Sequence, residues 1–595
     1  MPRLQSGVWK HFTPVIKDGK ETFMCNYCLK TYTKNATKMQ LHLNKCEEYS
    51  VASQQSPGPD GSSSASIPVP SFSLLPSASP GGQFLIDSVD QRSQAYADEC
   101  LARAVYATSS PLTLTDNIYW KRFFSVLRPA YCPPTREALT SRLLDCEYDR
   151  VQSQVQEAVG KADCVTIVCS SGWSKVKETR TIIYIVATPV PLLYKCTKTK
   201  EQMHQSTFIA EELKDIINEV GPQKVFAVIT DDTPEMKAAW GQVEEAFPHI
   251  SAIGCTACGV QRLFDDVVAQ PSVNALCTRA EQVVKYVTEQ KTLAETFGCW
   301  QSTKTRNHRA TGTTLVLPSS SDWTGVINML NSLLEGQNSL QDMAVSPTLD
   351  VEASFRVTLQ DAAFWKGLSS SQNLLCSIGN YISYMKREES TLSDVVDTFI
   401  QLRHYVGALL PGSVLHSGEQ KAVMASLDRC QEFCMKPIHT AAYMLDPKHA
   451  GQQTLSGEQI NSAYYVISNL SHQLNLDDGK VLGSYARFSA KEGLWKGAGI
   501  WSSCQHVSAS TWWKGLCSSE PLSAVASAIL QIPPTTGACE SVRSRFCNTK
   551  TPCSVSAARA QKLVAVQANL NLLEPSDDEC APLESEEEIK SETQQ

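Results

Sequence analysis

The chain lacks an apolar run long enough to cross a membrane. Its longest near-apolar stretch, Thr181–Tyr194, is 14 residues and is broken by Pro189 and Pro191, against the ~20 that a membrane helix needs. Met1–Lys10 holds no apolar signal core, so neither a secretory leader nor a membrane contact is expected. An excess of positive charge is also missing. The net charge is −8 over 595 residues and the pI is about 5.8, which excludes a uniformly basic coat. Charged residues are 19% against 42% hydrophobic, the balance of a globular chain with several domains' worth of core. The 22 cysteines are scattered along the chain. They do not form a small disulfide scaffold, so they read as reduced thiols of the cytosol or nucleus.

The charge that is present is segregated. Residues 1–46 carry eight Lys or Arg against two acids, whereas residues 574–595 carry nine acids and one lysine. A basic head, a neutral body and an acidic tail place any nucleic-acid contact at the N-terminus. Four cysteine and histidine ligands stand in that head: Cys25, Cys28, His42 and Cys46, spaced C-x2-C-x13-H-x3-C. A C-x2-C turn supplies two thiolates, and two ligands four apart on one helix face supply the rest of a Zn²⁺ tetrahedron. Ala36–Lys45 is expected to form that helix. So small a unit buries little, so Trp9, Phe12 and Tyr27 are expected to build its core. Lys30, Lys34 and Lys38 are positioned for phosphates, and Asn35, Thr37, Lys38 and Gln40 for base edges of double-stranded DNA.

Residues 51–82 contain 20 Ser, Pro or Gly out of 32, a composition that forms a tether and not a core. Residues 93–160 read as helices, with Tyr119, Trp120, Phe123 and Phe124 expected in a core. The β-branched runs at Cys164–Cys169, Thr181–Thr188, Leu192–Thr199 and Lys224–Thr230 read as strands. With helices at Thr207–Glu219 and Pro234–Phe247, they suggest a mixed sheet covered by helices. From about residue 265 to 500 the pattern is mainly helical.

The head, with aromatics ahead of C-x2-C and then H-x3-C, resembles a BED-type zinc finger, a DNA-binding family. The body carries an ordered series: Leu127-Arg-Pro-Ala-Tyr131, Ser170-Ser-Gly-Trp173, Val228-Ile-Thr-Asp231-Asp232, Gly254-Cys-Thr-Ala-Cys258, Ser321-Asp-Trp323, Leu445-Asp-Pro447 and Pro533-Pro-Thr-Thr-Gly-Ala-Cys-Glu540. Together these resemble an hAT-superfamily transposase body. The resemblance implies a multidomain α+β chain. Its expected parts are a finger at 1–50, a linker at 51–92, a helical region at 93–160 and the first part of a ribonuclease H-like core at 161–265. A helical insertion at 266–510, a C-terminal dimerisation segment at 511–573 and an acidic tail at 574–595 would complete it. The partners implied are duplex DNA and a second copy of the chain, with no small-molecule substrate.

That family cuts DNA with three carboxylates holding two divalent metals. The resemblance puts the three positions at Ser171, Asp231 and Glu540. A neutral hydroxyl at Ser171 is a poor Mg²⁺ ligand. Where the family has Cys-x2-His, Thr-Arg-Trp and Glu-Arg, this chain has Cys255-Thr-Ala-Cys258, Ser321-Asp322-Trp323 and Glu540-Ser541. A degenerate, non-cleaving remnant is therefore expected, unless Asp163 or Asp232 supplies the missing ligand. Cys255 and Cys258 have the spacing of a metal knuckle, but with no second ligand pair near them in sequence they read as buried thiols. Ile589-Lys590-Ser591-Glu592 fits the pattern for conjugating a small ubiquitin-like modifier at Lys590. The overall expectation is a nuclear, zinc-dependent DNA-binding regulator of transposase origin. An active transposase or a protein-interaction scaffold stand as alternatives.

Overall fold

The computed structural model describes residues 11–17, 20–25, 30–32, 36–43, 46, 89–174, 179–199, 206–304, 314–318, 323–452, 454–548 and 556–573. The chain divides into two compact units, Met1–Leu85 and Ile86–Gln595. It is mainly helical with two sheets, an α+β composition. Among the described residues, no helix is long and apolar enough to cross a membrane.

Among its described residues, the first unit holds a three-stranded antiparallel sheet and the helix that follows it. Strands β1 (Phe12–Lys17) and β2 (Lys20–Cys25) pair from Phe12↔Cys25 to Lys17↔Lys20, and β3 (Thr31–Tyr32) joins β2 at Phe23 and Met24. The helix Ala36–Leu43 follows. Phe12, Phe23, Cys25, Met39 and Cys46 are buried. Phe12 thus fills the expected core role, but Phe23 and Met39 share it. Trp9 and Tyr27 lie outside the described residues.

The second unit is built on a five-stranded sheet in the order β6-β5-β4-β7-β8, from β4 (Val165–Ser174), β5 (Thr179–Ala187), β6 (Pro191–Thr199), β7 (Val225–Thr230) and β8 (Ser251–Gly254). The first three strands form an antiparallel meander. β7 and β8 run parallel to β4 after the crossover helices Ser206–Val220 and Pro234–Ala246. All six residues of β7 are buried, which matches its unbroken apolar run.

Alternation along β4 and β5 divides the sheet between two cores. Ile167, Cys169, Ile182 and Tyr184 face the helices Gln91–Ala107, Arg142–Lys161 and Ser206–Val220, together with Leu563, Val566 and Leu570. Val168, Ile183 and Ile185 face a cluster that includes Trp495, Trp512, Trp513 and the helix Leu522–Leu530. The stretch read as one helical insertion at 266–510 therefore serves two cores. Apart from Leu392, its core residues as far as Cys434 belong to a separate helical cluster, while Leu392 and those from Ile438 onward cover the sheet.

One expectation changes. The helix Ile118–Leu127 has no buried residue, and Tyr119, Trp120 and Phe123 are 74%, 43% and 49% exposed. Its rings pack on one another and on Tyr131, so they form a surface cluster and not a core. In the segment 511–573, the apolar residues of Leu522–Leu530 and of the helix Ala557–Leu573 are mostly buried within the chain. Among its described residues, Leu516 and Leu572 are the large apolar side chains left exposed.

The outer edge of the sheet is closed from far along the chain. Fully buried Asn569 accepts from the N–H of Leu193 at 2.7 Å and donates to its carbonyl at 2.8 Å. β6 is an edge strand, so without this amide both backbone groups would be buried and unpaired. Asn569→Ala is expected to cost about 2–4 kcal/mol by leaving two buried groups unsatisfied. Urea unfolding of the full chain measures it, and an unchanged midpoint would remove Asn569 from this role.

Candidate metal centre and sheet-end cluster

In the first unit, β2 ends on Cys25, whose N–H donates to Lys30 O at 2.9 Å and closes the knuckle. His42 sits in the last turn of Ala36–Leu43, with its ring 4.8 Å from Tyr32 and 6.0 Å from Phe12. Cys46 follows the helix and is buried. The ligand atoms of Cys25, His42 and Cys46 all lie within 4.8 Å of one another. Two soft sulfurs and an imidazole, converging and largely shielded, fit a metal ion. Cys28, the fourth residue of the spacing, lies outside the described residues. Lys30 and Lys38 are exposed, and Thr37 and Gln40 lie on the helix. Lys34, Asn35 and Lys590 lie outside the described residues, as do Ser321 and Asp322 and most of the expected linker.

The second cluster stands where β4 outruns β7. Their parallel pairing ends at Cys169↔Thr230, while β4 continues to Ser174. Ser171 therefore has backbone groups on that side with no strand to meet. Asp231, the first residue past β7, takes its N–H with Oδ2 at 2.6 Å, and the same oxygen accepts from the Ser170 hydroxyl at 3.1 Å. Asp231 Oδ1 accepts from Thr233 N–H at 3.4 Å. Arg543, on the helix Gly537–Asn548, donates through Nη2 to Ser170 Oγ at 2.6 Å and to Ser171 O at 2.9 Å. A side chain at Gly172 would collide with this guanidinium, so the glycine makes room for the cation. The result is a relay from Arg543 through the Ser170 hydroxyl to a buried carboxylate.

The three resemblance positions thus part company. Ser171 and Asp231 are in direct contact, whereas Glu540 turns to Lys386 in an ion pair of 3.2 Å. Asp232 is paired with Lys237 and Arg262. Asp163 precedes β4, at the opposite end of the strand from Ser171. Among the described residues, no three carboxylate, cysteine or histidine ligand atoms converge within 4.8 Å at this end of the sheet. Arg543 is the functional residue missed in sequence. Its signal was its place one helical turn after Glu540, on the same face.

Next to this cluster, Cys255 caps the helix Thr256–Val268, and its Sγ accepts from the N–H groups of Cys258 and Thr536 at 3.4 and 3.3 Å. Burial alone would raise its thiol pKa. The hydrogen bonds from Cys258 and Thr536 outweigh that and leave it below the ordinary value.

Residues 134–283 match a family described as a domain of unknown function, DUF659, which is associated with hAT-type transposase-like proteins. The match takes in the whole five-stranded sheet. No curated protein matches the chain.

Ser170→Ala should destabilise the body by about 1–3 kcal/mol, because Asp231 loses a donor and Arg543 an acceptor. In a double-mutant cycle with Arg543→Met, the two losses should be strongly non-additive. Additive effects on the urea midpoint would break the proposed relay.

Proposed function

We propose that the chain is a nuclear, zinc-dependent DNA-binding protein of transposase origin that no longer cleaves strands and acts in transcriptional or chromatin-associated regulation. The DUF659 match supports the origin. The strand order, an antiparallel meander followed by two parallel strands, supports a ribonuclease H-like core. The observation that carries the loss of cleavage is the state of Asp231. Both its oxygens are engaged by the chain's own donors, and Arg543 adds a cation where two divalent ions would need negative charge. A hydroxyl at Ser171 cannot offset that.

In this reading, Zn²⁺ held by Cys25, Cys28, His42 and Cys46 supplies the folding energy of the finger. The helix Ala36–Leu43 is then presented with Lys30, Lys34 and Lys38 toward phosphates and Asn35, Thr37 and Gln40 toward base edges. Phosphate contacts set register and base contacts set sequence. The exposed aromatic helix Ile118–Leu127 is the observation that favours the scaffold alternative, since apolar surface of that kind marks interaction sites. A second copy of the chain docking through 511–573 belongs to this reading; among the described residues of that segment Leu516 and Leu572 are exposed.

Full-length protein should bind duplex DNA in a zinc-dependent way, and Cys25→Ser should abolish that binding. With three lysines on phosphates, affinity should fall about 40-fold between 50 and 200 mM salt. Lys38→Ala should lower the log–log salt slope by about one. Fluorescence anisotropy over a salt series reads all three. A flat salt response would reject DNA as the partner. Mg²⁺-dependent nicking that is lost in Asp231→Asn would establish the transposase alternative.

A further inference from the structure

The proposed function leaves one group of metal-ligating side chains unused. Cys255 and Cys258 have knuckle spacing at the start of the helix Thr256–Val268, and folding brings a second pair to them from far along the chain. Cys430 and Cys434 lie one turn apart on the last part of the helix Ser417–Cys434, on one face.

The meeting point is Gly259. A Cβ built there would collide with the Cys434 sulfur and lie 3.4 Å from the Cys430 sulfur. The two helices can bring these thiols against the Cys258–Gly259 backbone only because residue 259 has no side chain. Cys434 Sγ also lies 4.0 Å from the carbonyl of Thr256, inside the Cys255–Cys258 turn. Cys255, Cys430 and Cys434 are buried, and Cys258 is half-buried. Cys258 Sγ lies 3.8 Å from Thr536 Oγ1, and Thr536 N–H donates to Cys255 Sγ. N–H donors to a ligating sulfur are the outer-shell support that metal sites carry. No three of these four sulfurs lie within 4.8 Å of one another. They stand as two pairs, and a side-chain rotation about χ1 is the motion that would close them into a tetrahedron.

We propose that Cys255, Cys258, Cys430 and Cys434 form a second, four-thiolate site for a structural Zn²⁺ in the body. The C-x2-C turn supplies two ligands and the C-x3-C helix end supplies two, the composition of closed structural zinc sites. Four soft sulfurs select zinc over Mg²⁺, so this ion has no part in phosphodiester chemistry. Its effect is mechanical. It ties the helical cluster ending at Cys434 to the end of β8, beside the Pro533–Gly537 loop whose Pro534 carbonyl accepts from Thr256 N–H at 3.1 Å.

The test uses full-length Cys25→Ser/Cys46→Ser protein, in which the finger has lost two ligands. Metal analysis by mass spectrometry should find one zinc per chain, lost when Cys430→Ser/Cys434→Ser is added. Replacing the zinc with Co²⁺ should give the intense sulfur-to-metal charge-transfer absorption of a four-sulfur tetrahedral site. This measurement needs no change in the body and so stands if the added variant misfolds. Folded finger-ablated protein without zinc overturns the proposal. So does zinc that persists after Cys430 and Cys434 are both replaced, or a cobalt form without the sulfur band. Failure of DNA binding by the finger would leave all of these readouts unchanged.

Discussion

The backbone of Ser171 is the constraint on which this end of the molecule depends. β4 runs five residues past Cys169, the last residue that β7 pairs. Buried N–H and C=O groups must find partners, and here a carboxylate and a guanidinium supply them. Asp231 takes the N–H and Arg543 takes the C=O. Each is a buried or half-buried charge that would be costly alone. The Ser170 hydroxyl, donating to one and accepting from the other, joins them without direct ion pairing. This explains why a serine pair suits the position. A carboxylate at 171 would add negative charge beside Asp231, and a side chain at 172 would displace Arg543.

The same logic recurs at the opposite edge. Leu193 in β6 is completed by Asn569, 376 residues later, and Cys539 lies 3.6 and 3.8 Å from the carbonyls of Val168 and Ile183. Arg543, Cys539 and Asn569 all come from the segment after residue 530. The sheet's strands are contiguous in sequence, but its hydrogen bonds are closed by the C-terminal segment. The C-terminal helices are therefore better described as part of the body's core than as an appendage. Their apolar residues are spent inside it, which accounts for the small apolar surface they leave exposed.

How much of this was legible follows from how local each signal is. The strands at Thr179–Ala187 and Val225–Thr230 stood out because β-branched runs are local. The candidate metal ligands Cys25, His42 and Cys46 are legible because their spacing fits a knuckle and one helix turn. Phe23 and Met39 carry a fainter signal, strand alternation with Cys25 and helical spacing before His42, than the aromatics Trp9, Phe12 and Tyr27. Arg543 was missed because the cation was sought directly after Glu540, whereas the helix delivers it one turn later. The approach of Cys430 and Cys434 to Cys255 was not legible at all. It depends on the packing of two helices separated by most of the helical cluster, and the only local trace is the glycine at 259.

The aromatic helix Ile118–Leu127 failed in the reverse direction: its composition reads as core, yet its rings are exposed. Composition reports what a segment would gain by burial, not whether a partner surface within the chain exists. Here the rings cluster on one another and on Tyr131, which recovers some of the stacking but leaves Tyr119, Val126 and Leu127 largely in water. A solvated chain gains nothing from such a surface. The hydrogen-bonded closure at the end of β4 and the apolar helix left outside follow from one rule: a group is covered only where the chain itself supplies a partner for it.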